Sequence, residues 1–441
     1  MLTYKLSSGE RLPVLLHNGL PQYWPTLWVS AKRRKCRVAA RTLALDLRSV
    51  MLVLEWAEEE GFSLEARLLA GRYLTDTEVT AISDRCDRRH GGNVISLRTV
   101  INHTYSMRMT RIREYVDWIA GIGMGNLSSA GRSYADCAEA RTHMKEAFTS
   151  RQQIPRRRKT LHAREGLSTA VLDRLVTVVS PDCPENPWST RSIKIRNQAL
   201  VILTLTLGLR RGELLGLRVN DVDFGAHRLL VARRADDAED PRIDQPTAKT
   251  NDRMLLLEPA VAEILRYYIL EVRRLTPNAK RHPYLFVGHK PGRNEGRPLA
   301  LVSVNALYQG IRKKVTGLPS DLTSHVLRHT WNDKFSELCT KAKTTDEKEK
   351  AIRNYLMGWS PTSETAAVYT RRHVRAEAEE LSLKHQRRVL ASAGLEPDTE
   401  STDEPPQSHV TANPETGAYL VQTSNATQTK GDSVGRDGEK S

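Results

Sequence analysis

Apolar residues recur at helical spacing through most of the chain, and this pattern predicts a mainly helical protein. One apolar face of a helix over 38–60 is formed by Leu43, Leu47, Val50, Met51 and Leu54. Further helices are predicted from a cap-like Thr75 or Thr77 to about 89, over 97–120 and over 133–150. Residues 1–35 alternate weakly, and their segments LPVLL and TLWVS are strand candidates around the turn signal HNGLP.

The second half of the chain mixes helical and strand-like patterns. Helices are predicted over 168–179, 193–207, 259–274 and 301–315, and Gly208 is suited to end the second of these. Alternating segments at 228–234 and 247–259 predict a small antiparallel sheet with a long connection. The expected fold class is therefore mainly α with a small antiparallel β-sheet.

Changes in composition divide the chain. Pro155 breaks any helix in 152–165, and the block of like charge beside it consists of Arg156, Arg157, Arg158 and Lys159. Residues 391–441 are polar and acidic with few large apolar groups, which predicts a disordered tail. We expect an N-terminal extension (1–35), a helical domain (36–151), a basic linker (152–165), a second domain (166–390) and the tail.

The charge balance predicts a polyanionic partner. The formal net charge is +15 and the pI is about 9.6, and basic residues are spread along the part expected to fold. Arg108 and Arg111, on the predicted 97–120 helix, either face water on a core helix or contact DNA phosphates, as the linker's basic block would. Five unpaired cysteines and the absence of a signal or membrane segment predict a location in a reducing cytoplasm.

The stretch from 323 to 370 carries the most informative spacing. His325 and Arg328 are three residues apart and so share a helix face. About thirty residues later, Gly358 ends a second helix and Trp359 leads into a third, which carries Tyr369. Groups that can surround an anion thus come just before a tyrosine that could attack it.

Together with the upstream segment GLRRGELLGL, which holds Arg210 and Glu213, this order resembles the tyrosine recombinases, the family of phage and transposon integrases. The resemblance covers about 165–390 through motifs. It implies a helical core-binding domain before a catalytic domain. It also implies double-stranded DNA as substrate, a tetrameric assembly in the family's manner, and strand exchange that needs neither ATP nor metal.

The resemblance also assigns roles. Arg210 and Arg328 would bind the scissile phosphate through paired, charge-assisted hydrogen bonds. His325 would donate a further hydrogen bond or move a proton, and Tyr369 would be the nucleophile. Lys249 matches the lysine that serves as general acid, at the start of a strand. Trp359 stands where many members have a histidine, and Glu213 would orient its neighbours without reacting.

Several alternatives stay open at this point. A type IB topoisomerase uses the same kind of site, and a catalytically silent DNA-binding regulator could keep the fold. Tyr355 is the rival nucleophile, but it precedes Gly358. The interval from Trp359 to Tyr369 is about one residue longer than is usual in the family. His325 and His329 have metal spacing without a third ligand, so neither metal nor cofactor is expected. The target sequence and any accessory proteins cannot be read from the chain.

Overall fold

A computed structural model describes residues 1–36, 38–91, 94–125, 132–152, 166–248, 250–363 and 382–388. Within these residues the protein is mainly helical with small antiparallel sheets, which confirms the predicted fold class. The clustering of contacts divides the chain into residues 1–373 and residues 374–441. Only 382–388, which are helical, are described in the second unit.

The N-terminal segment holds two short antiparallel pairs and a helix. The pairs are β1 (Leu2–Lys5) with β2 (Arg11–Val14), and β3 (Leu16–His17) with β4 (Leu20–Pro21). Helix α1 (Tyr23–Trp28) continues as a π-helical turn, Val29–Arg33, and a 3-10 turn, Arg34–Cys36. The predicted TLWVS strand is therefore wrong. Pro25, Trp28 and Val29 are all buried, and their spacing of i, i+3 and i+4 suits one face of a helix.

The described part of the first half continues with five helices and a hairpin. In order they are α2 (Ala40–Glu59), α3 (Leu64–Leu69), α4 (Asp76–Asp87), β5 (Arg88–Gly91) paired with β6 (Val94–Thr99), α5 (Asn102–Met124) and α6 (Arg132–Ser150). Thr75 caps α4 in a reciprocal capping box with Glu78, as the sequence suggested. The helix predicted from residue 97 instead begins at Asn102, after a strand.

The second half begins with α7 (Thr169–Val179), α8 (Arg191–Leu207) and the short α9 (Arg211–Gly216). A three-stranded antiparallel sheet then forms from β7 (Val222–Asp223), β8 (Arg228–Val231) and β9 (Arg253–Leu256), with β8 in the centre. A two-residue strand such as β7 is too short to give an alternating pattern. β9 begins at Arg253, so Lys249 precedes the strand and does not start it.

Four more helices complete the described part of this half. They are α10 (Pro259–Tyr267), which continues as a π-helical turn at Tyr268–Arg273, α11 (Leu301–Lys314), α12 (Ser324–Lys341) and α13 (Asp346–Met357). Most of the charged segment TKAKTTDEKEK (340–350) is helical, because only residues 342–345 separate α12 from α13.

Two large hydrophobic cores form among the described residues and share no residue, and a small third cluster holds Met357 and Trp359. One contains buried residues from Leu15 to Phe148, and the other contains buried residues from Leu167 to Leu327. This separation agrees with the predicted helical and second domains, whose boundaries stay a prediction. Residues 153–165 of the predicted basic linker (152–165) and the predicted acidic tail lie outside the described residues.

Candidate active site

Helix α12 directs Arg328 into the interior of the second half. Its N-cap Thr323 accepts a hydrogen bond from the N–H of Val326 at 3.4 Å, which fixes the first turn. Arg328 is 2% exposed, and its guanidinium donates to the carbonyl oxygen of Gly208. Gly208 ends α8 at a φ of 61° in the left-handed region. The end of one helix and the start of another therefore fix this guanidinium.

His325 is an exposed residue in the first turn of the same helix, three residues before Arg328. Its ring meets that of His329 edge-on, with ring centroids 4.5 Å apart. The first turn of a helix also directs backbone N–H groups outward, where they favour an anion. An imidazole at this position can donate a hydrogen bond to a phosphate or exchange a proton with it.

The turn after Gly208 positions Arg210 and Glu213. The backbone N–H of Arg210 donates to Glu213 Oε2 at 2.8 Å, as in a helix N-terminal capping contact. The Arg210 Nη1 atom lies 3.5 Å from Glu213 Oε1 and 3.4 Å from the carbonyl oxygen of Met357. Its side chain is 34% exposed, whereas that of Glu213 is fully buried. Glu213 therefore fixes the backbone of Arg210 and leaves part of the guanidinium facing solvent.

Trp359 brings the two arginines together. Gly358, at a φ of 65°, ends α13 and turns the chain so that the indole is buried. The Cζ atoms of Arg210 and Arg328 lie 5.8 and 5.5 Å from the centroid of this ring, within the range of a cation–π interaction. Four residues predicted from sequence, namely Arg210, Glu213, Arg328 and Trp359, thus form one cluster.

The sequence did not single out Arg253 and Thr250, which complete the surroundings of Glu213. The Thr250 hydroxyl donates to Glu213 Oε1 at 2.6 Å, and Arg253 Nη2 lies 3.0 Å from Glu213 Oε2. Arg253 Nε also donates to the carbonyl oxygen of Leu356 at 2.7 Å. The alternation of residues in this strand could have indicated that Arg253 is buried. In β9 the buried positions alternate, so Arg253 shares the inward face with Leu255.

The charge of Glu213 is stabilised by these contacts. Burial raises the pKa of this carboxyl, but the charge and hydrogen bond of Arg253, with smaller contributions from Arg328 and Thr250, outweigh it and hold the pKa below its usual range. Glu213 is therefore a carboxylate at neutral pH. Three guanidiniums surround this single carboxylate, so the cluster has a net positive charge and suits an anionic ligand.

Two glycines let the segment 247–253 pack against the cluster. A Cβ atom on Gly212 would lie 2.6 Å from the Thr247 carbonyl oxygen, and one on Gly358 would lie 2.6 Å from Arg253 Nη1. Both distances are shorter than real Cβ contacts. Lys249 lies outside the described residues. Its neighbours Ala248 and Thr250 are both buried, so the chain on either side of it is held beside α9.

Tyr369 also lies outside the described residues. The rival Tyr355 is on α13 and donates a hydrogen bond from its hydroxyl to the carbonyl oxygen of Met254 at 3.2 Å. Met254 is on β9. The Tyr355 hydroxyl therefore points toward the sheet.

The predicted DNA-binding arginines of α5 make contacts within their own half. Arg108 donates to the carbonyl oxygens of Cys86 and Arg88, at 2.7 and 2.8 Å. Arg111 lies 3.1 Å from the buried carboxylate of Asp46 and 2.6 Å from that of Glu114. A role in DNA binding stays a prediction for both. Arg156, Arg157, Arg158 and Lys159 lie outside the described residues.

No group of three or more His, Cys, Asp or Glu side chains among the described residues has the geometry to hold a metal ion. No helix among the same residues is long and apolar enough to cross a membrane.

Residues 167–375 match the model of the phage integrase family. This part of the chain belongs to that family, the tyrosine recombinases.

The chain is 22% identical over 209 residues to tyrosine recombinase XerD of Halalkalibacterium halodurans, an alignment covering 47% of this chain and 63% of the relative. It is 27% identical over 142 residues to the putative integrase/recombinase y4rF of Sinorhizobium fredii, covering 32% of this chain and 29% of the relative. The chain thus spans less than two thirds of either curated relative.

Solved structures give similar matches. The Tn1549 transposon integrase in complex with circular intermediate DNA matches with a TM-score of 0.47 at 15% identity, covering 78% of this chain and 94% of that one. XerH recombinase bound to palindromic difH substrate matches with a TM-score of 0.39 at 14% identity, covering 71% of this chain and 86% of that one.

Proposed function

We propose that this protein is a site-specific DNA recombinase or integrase that breaks and rejoins strands through a covalent bond between Tyr369 and DNA. One observation carries the proposal. Arg210 and Arg328, from separate elements of the fold, meet at the ring of Trp359 above a buried, charged Glu213. Paired guanidiniums are well matched to the oxygens of a phosphodiester.

In the proposed reaction, the phosphate lies against Arg210 and Arg328. Each charge-assisted hydrogen bond contributes about 1.5–3 kcal/mol, and its contribution grows as charge builds up on the phosphate oxygens in the transition state. Trp359 donates from its indole N–H. Exposed His325 donates a further hydrogen bond or moves a proton. Arg253 and Thr250 position Glu213, and Glu213 positions Arg210.

The phenol oxygen of Tyr369 attacks phosphorus and passes its proton to His325 or to solvent water, and the bond from phosphorus to the 5′ oxygen breaks. The 5′ oxygen takes a proton from Lys249, which gives a 3′-phosphotyrosine and a free 5′-hydroxyl. Attack by the 5′-hydroxyl of another strand reverses these steps. The phosphotyrosine conserves the energy of the broken bond, so the exchange needs neither ATP nor a metal ion.

The domain organisation is part of this proposal. The helical domain (36–151) and the catalytic domain (166–390) would hold a duplex between them, with the basic linker crossing it. The two separate hydrophobic cores support this division. We propose that the assembly on DNA is a tetramer acting on two duplexes. The proposed location is the cytoplasm, at the nucleoid.

The test is to trap the covalent intermediate. A binding site is first selected from random-sequence duplexes by the protein itself, and a nick is then placed so that the cleaved fragment diffuses away. The wild type and Tyr355→Phe should give a DNA adduct on a denaturing gel, with or without EDTA. Tyr369→Phe should bind the duplex and give no adduct.

Three results would count against the assignment. An adduct formed by Tyr369→Phe would mean that another residue is the nucleophile. Binding by the wild type without any adduct would favour a catalytically silent regulator. Relaxation of supercoiled plasmid that lacks the selected site, by a monomer, would favour a topoisomerase.

A further inference from the structure

Arg11, in the N-terminal segment, is buried against a loop of the second half of the chain. Its side chain donates to the carbonyl oxygens of Asp240 at 2.7 Å, Asp237 at 2.9 Å and Arg242 at 3.0 Å, and to Gln245 Oε1 at 3.1 Å. Arg11 is 2% exposed. A guanidinium has five N–H donors in a fixed plane, and here the acceptors converge from one loop, residues 236–245. The loop therefore forms a receptor for this side chain.

The receptor loop is held in place by its own half. Arg242 pairs with Asp240 at 2.8 Å and lies over the Tyr284 ring, with its Cζ atom 4.5 Å from the ring centroid. Asp237 pairs with Arg218 at 2.6 Å and accepts a hydrogen bond from the Tyr284 hydroxyl. These contacts keep the carbonyl oxygens of the loop directed at Arg11.

Gly9 brings the β1–β2 turn into direct contact with the same loop. Its φ is +89°, and a Cβ atom there would lie 2.1 Å from the Asp236 carbonyl oxygen and 2.5 Å from the Ala238 nitrogen. Lys5 Nζ donates to the Ala238 carbonyl oxygen at 2.8 Å. We call these contacts, between residues 5–11 and residues 236–245, the latch.

The opposite side of the N-terminal segment belongs to the helical core. Leu15, Trp28 and Val29 are members of that core, and the Trp28 ring packs edge-on against Tyr115 with centroids 5.5 Å apart. The segment thus connects the helical core to loop 236–245 of the second half. The chain itself connects the two halves a second time, through residues 152–165.

We propose that the latch acts as a gate for DNA. Arg11 keeps this gate closed, and its contacts must break before a duplex can enter between the helical and catalytic domains. This inference depends on the proposed function, because it takes DNA as the ligand and the two domains as its clamp. The contacts of Lys5, Gly9 and Arg11 all go to uncharged oxygens and backbone atoms, and salt should leave them largely unchanged while it weakens the attraction of DNA. One exposed ion pair, Arg41 with Asp244 at 3.3 Å, also reaches this loop, and salt should weaken that contact.

The test compares three variants in a Tyr369→Phe background, where no strand is cut. Arg11→Gln removes the guanidinium, and Gly9→Ala blocks the close approach without altering Arg11. Gly19→Ala is the matched control, since Gly19 has a φ of +82° and an added Cβ atom there would meet no heavy atom within 4 Å. Its substitution introduces the same backbone strain in the neighbouring hairpin without touching the latch.

Stopped-flow fluorescence with a labelled duplex measures both rate constants. Arg11→Gln and Gly9→Ala should each raise the association and dissociation rate constants at least about threefold, and Gly19→Ala should leave both within a factor of about 1.5. Hydrogen exchange should be faster in residues 236–245 for the first two variants, which reports an open latch without any DNA. That readout does not require the proposed function.

The possible failures are distinguishable. Faster exchange in residues 236–245 with unchanged DNA rate constants would overturn the gate while leaving the recombinase proposal intact. A rise in the dissociation rate constant alone would also overturn it, because the contact would then act only after binding. Absence of any DNA binding by the unlatched variants and the parent would instead refute the proposed function.

Discussion

Replacing Arg253 with methionine tests the interaction that holds the site together. Met keeps an unbranched apolar stem but removes the guanidinium that contacts Glu213 at 3.0 Å and the Leu356 carbonyl oxygen at 2.7 Å. Both charged side chains are almost fully buried. Breaking a buried ion pair by removing one partner costs about 3–5 kcal/mol. Thr250 and the Arg210 N–H still donate to Glu213, so we expect the lower end of that range.

For a domain of about 200 residues, each kcal/mol lowers the melting temperature by about 2–4 °C. Arg253→Met should therefore melt about 6–12 °C below the wild type, as followed by circular dichroism and tryptophan fluorescence. Arg266→Met is the control. Arg266 pairs with Glu263 at 3.1 Å on the surface, with 57% of its side chain exposed, and its loss should change stability by less than about 0.5 kcal/mol.

The pH dependence gives a sharper test. In the wild type the pKa of Glu213 is held below its usual range, so its stabilising contribution is present above the unfolded pKa and is lost as pH falls through the folded one. Without Arg253, burial is no longer offset, and the Glu213 pKa rises. The difference in stability should then be largest at neutral pH and should shrink as the pH falls through the raised Glu213 pKa of the variant and on through the lowered pKa of the wild type.

Two outcomes would refute this reasoning. One is a loss of stability in Arg253→Met that is equal at pH 7 and pH 4. The other concerns the double variant Glu213→Gln/Arg253→Met, which removes both charges of the buried pair and should be more stable than Arg253→Met alone. If it were less stable, the unpaired carboxylate would not be the source of the loss.

Three further predictions concern single residues. Burial lowers the pKa of His289 to about 4, so the unfolded state protonates first as pH falls. The free energy of unfolding of the wild type, measured with urea, should therefore fall by about 2 kcal/mol between pH 7 and pH 5 because of this residue. His289→Gln should not show this decrease. Gly358→Ala should lower the free energy of unfolding by more than roughly 1–2 kcal/mol, the cost of alanine in the left-handed conformation, because its Cβ atom would also meet Arg253. In Gly317→Ala the Cβ atom would meet no atom within 4 Å, so only the cost of the backbone conformation should remain. Trp359→Phe keeps a ring but loses the N–H donor, so single-turnover cleavage should slow about 100-fold while DNA affinity stays within about twofold.

Much of the fold could be predicted because its signals are local. The spacing of apolar residues located α2, α4, α7 and α8, and Thr75 and Ser168 cap α4 and α7, as their side chains suggest. Gly208 and Gly358 both adopt the left-handed conformation that helix-ending glycines favour. Local signals of this kind predicted both the helix that carries Arg328 and the helix that ends before Trp359.

The contacts that were missed join residues far apart in the chain. Arg253 reaches Glu213 across 40 residues, and Arg11 reaches Asp240 across 229. A lone arginine in a strand or a hairpin has no local pattern that indicates a buried partner. Short elements were also missed, since the six residues of α3 are too few to repeat a helical period.

The set of hydrogen bonds that the Glu213 carboxylate accepts has a consequence for engineering. Its closest hydrogen bonds come from Thr250, from Arg253 and from the backbone of Arg210, and the Arg210 guanidinium lies farther away, at 3.5 Å. Thr250 and Arg253 would therefore still satisfy Glu213 in a variant of residue 210, although such a variant loses the contacts of Arg210 with Met357 and Trp359. Substitution of residue 210 should thus alter phosphate binding more than folding, which would let a designer change the chemistry of the site within the same fold.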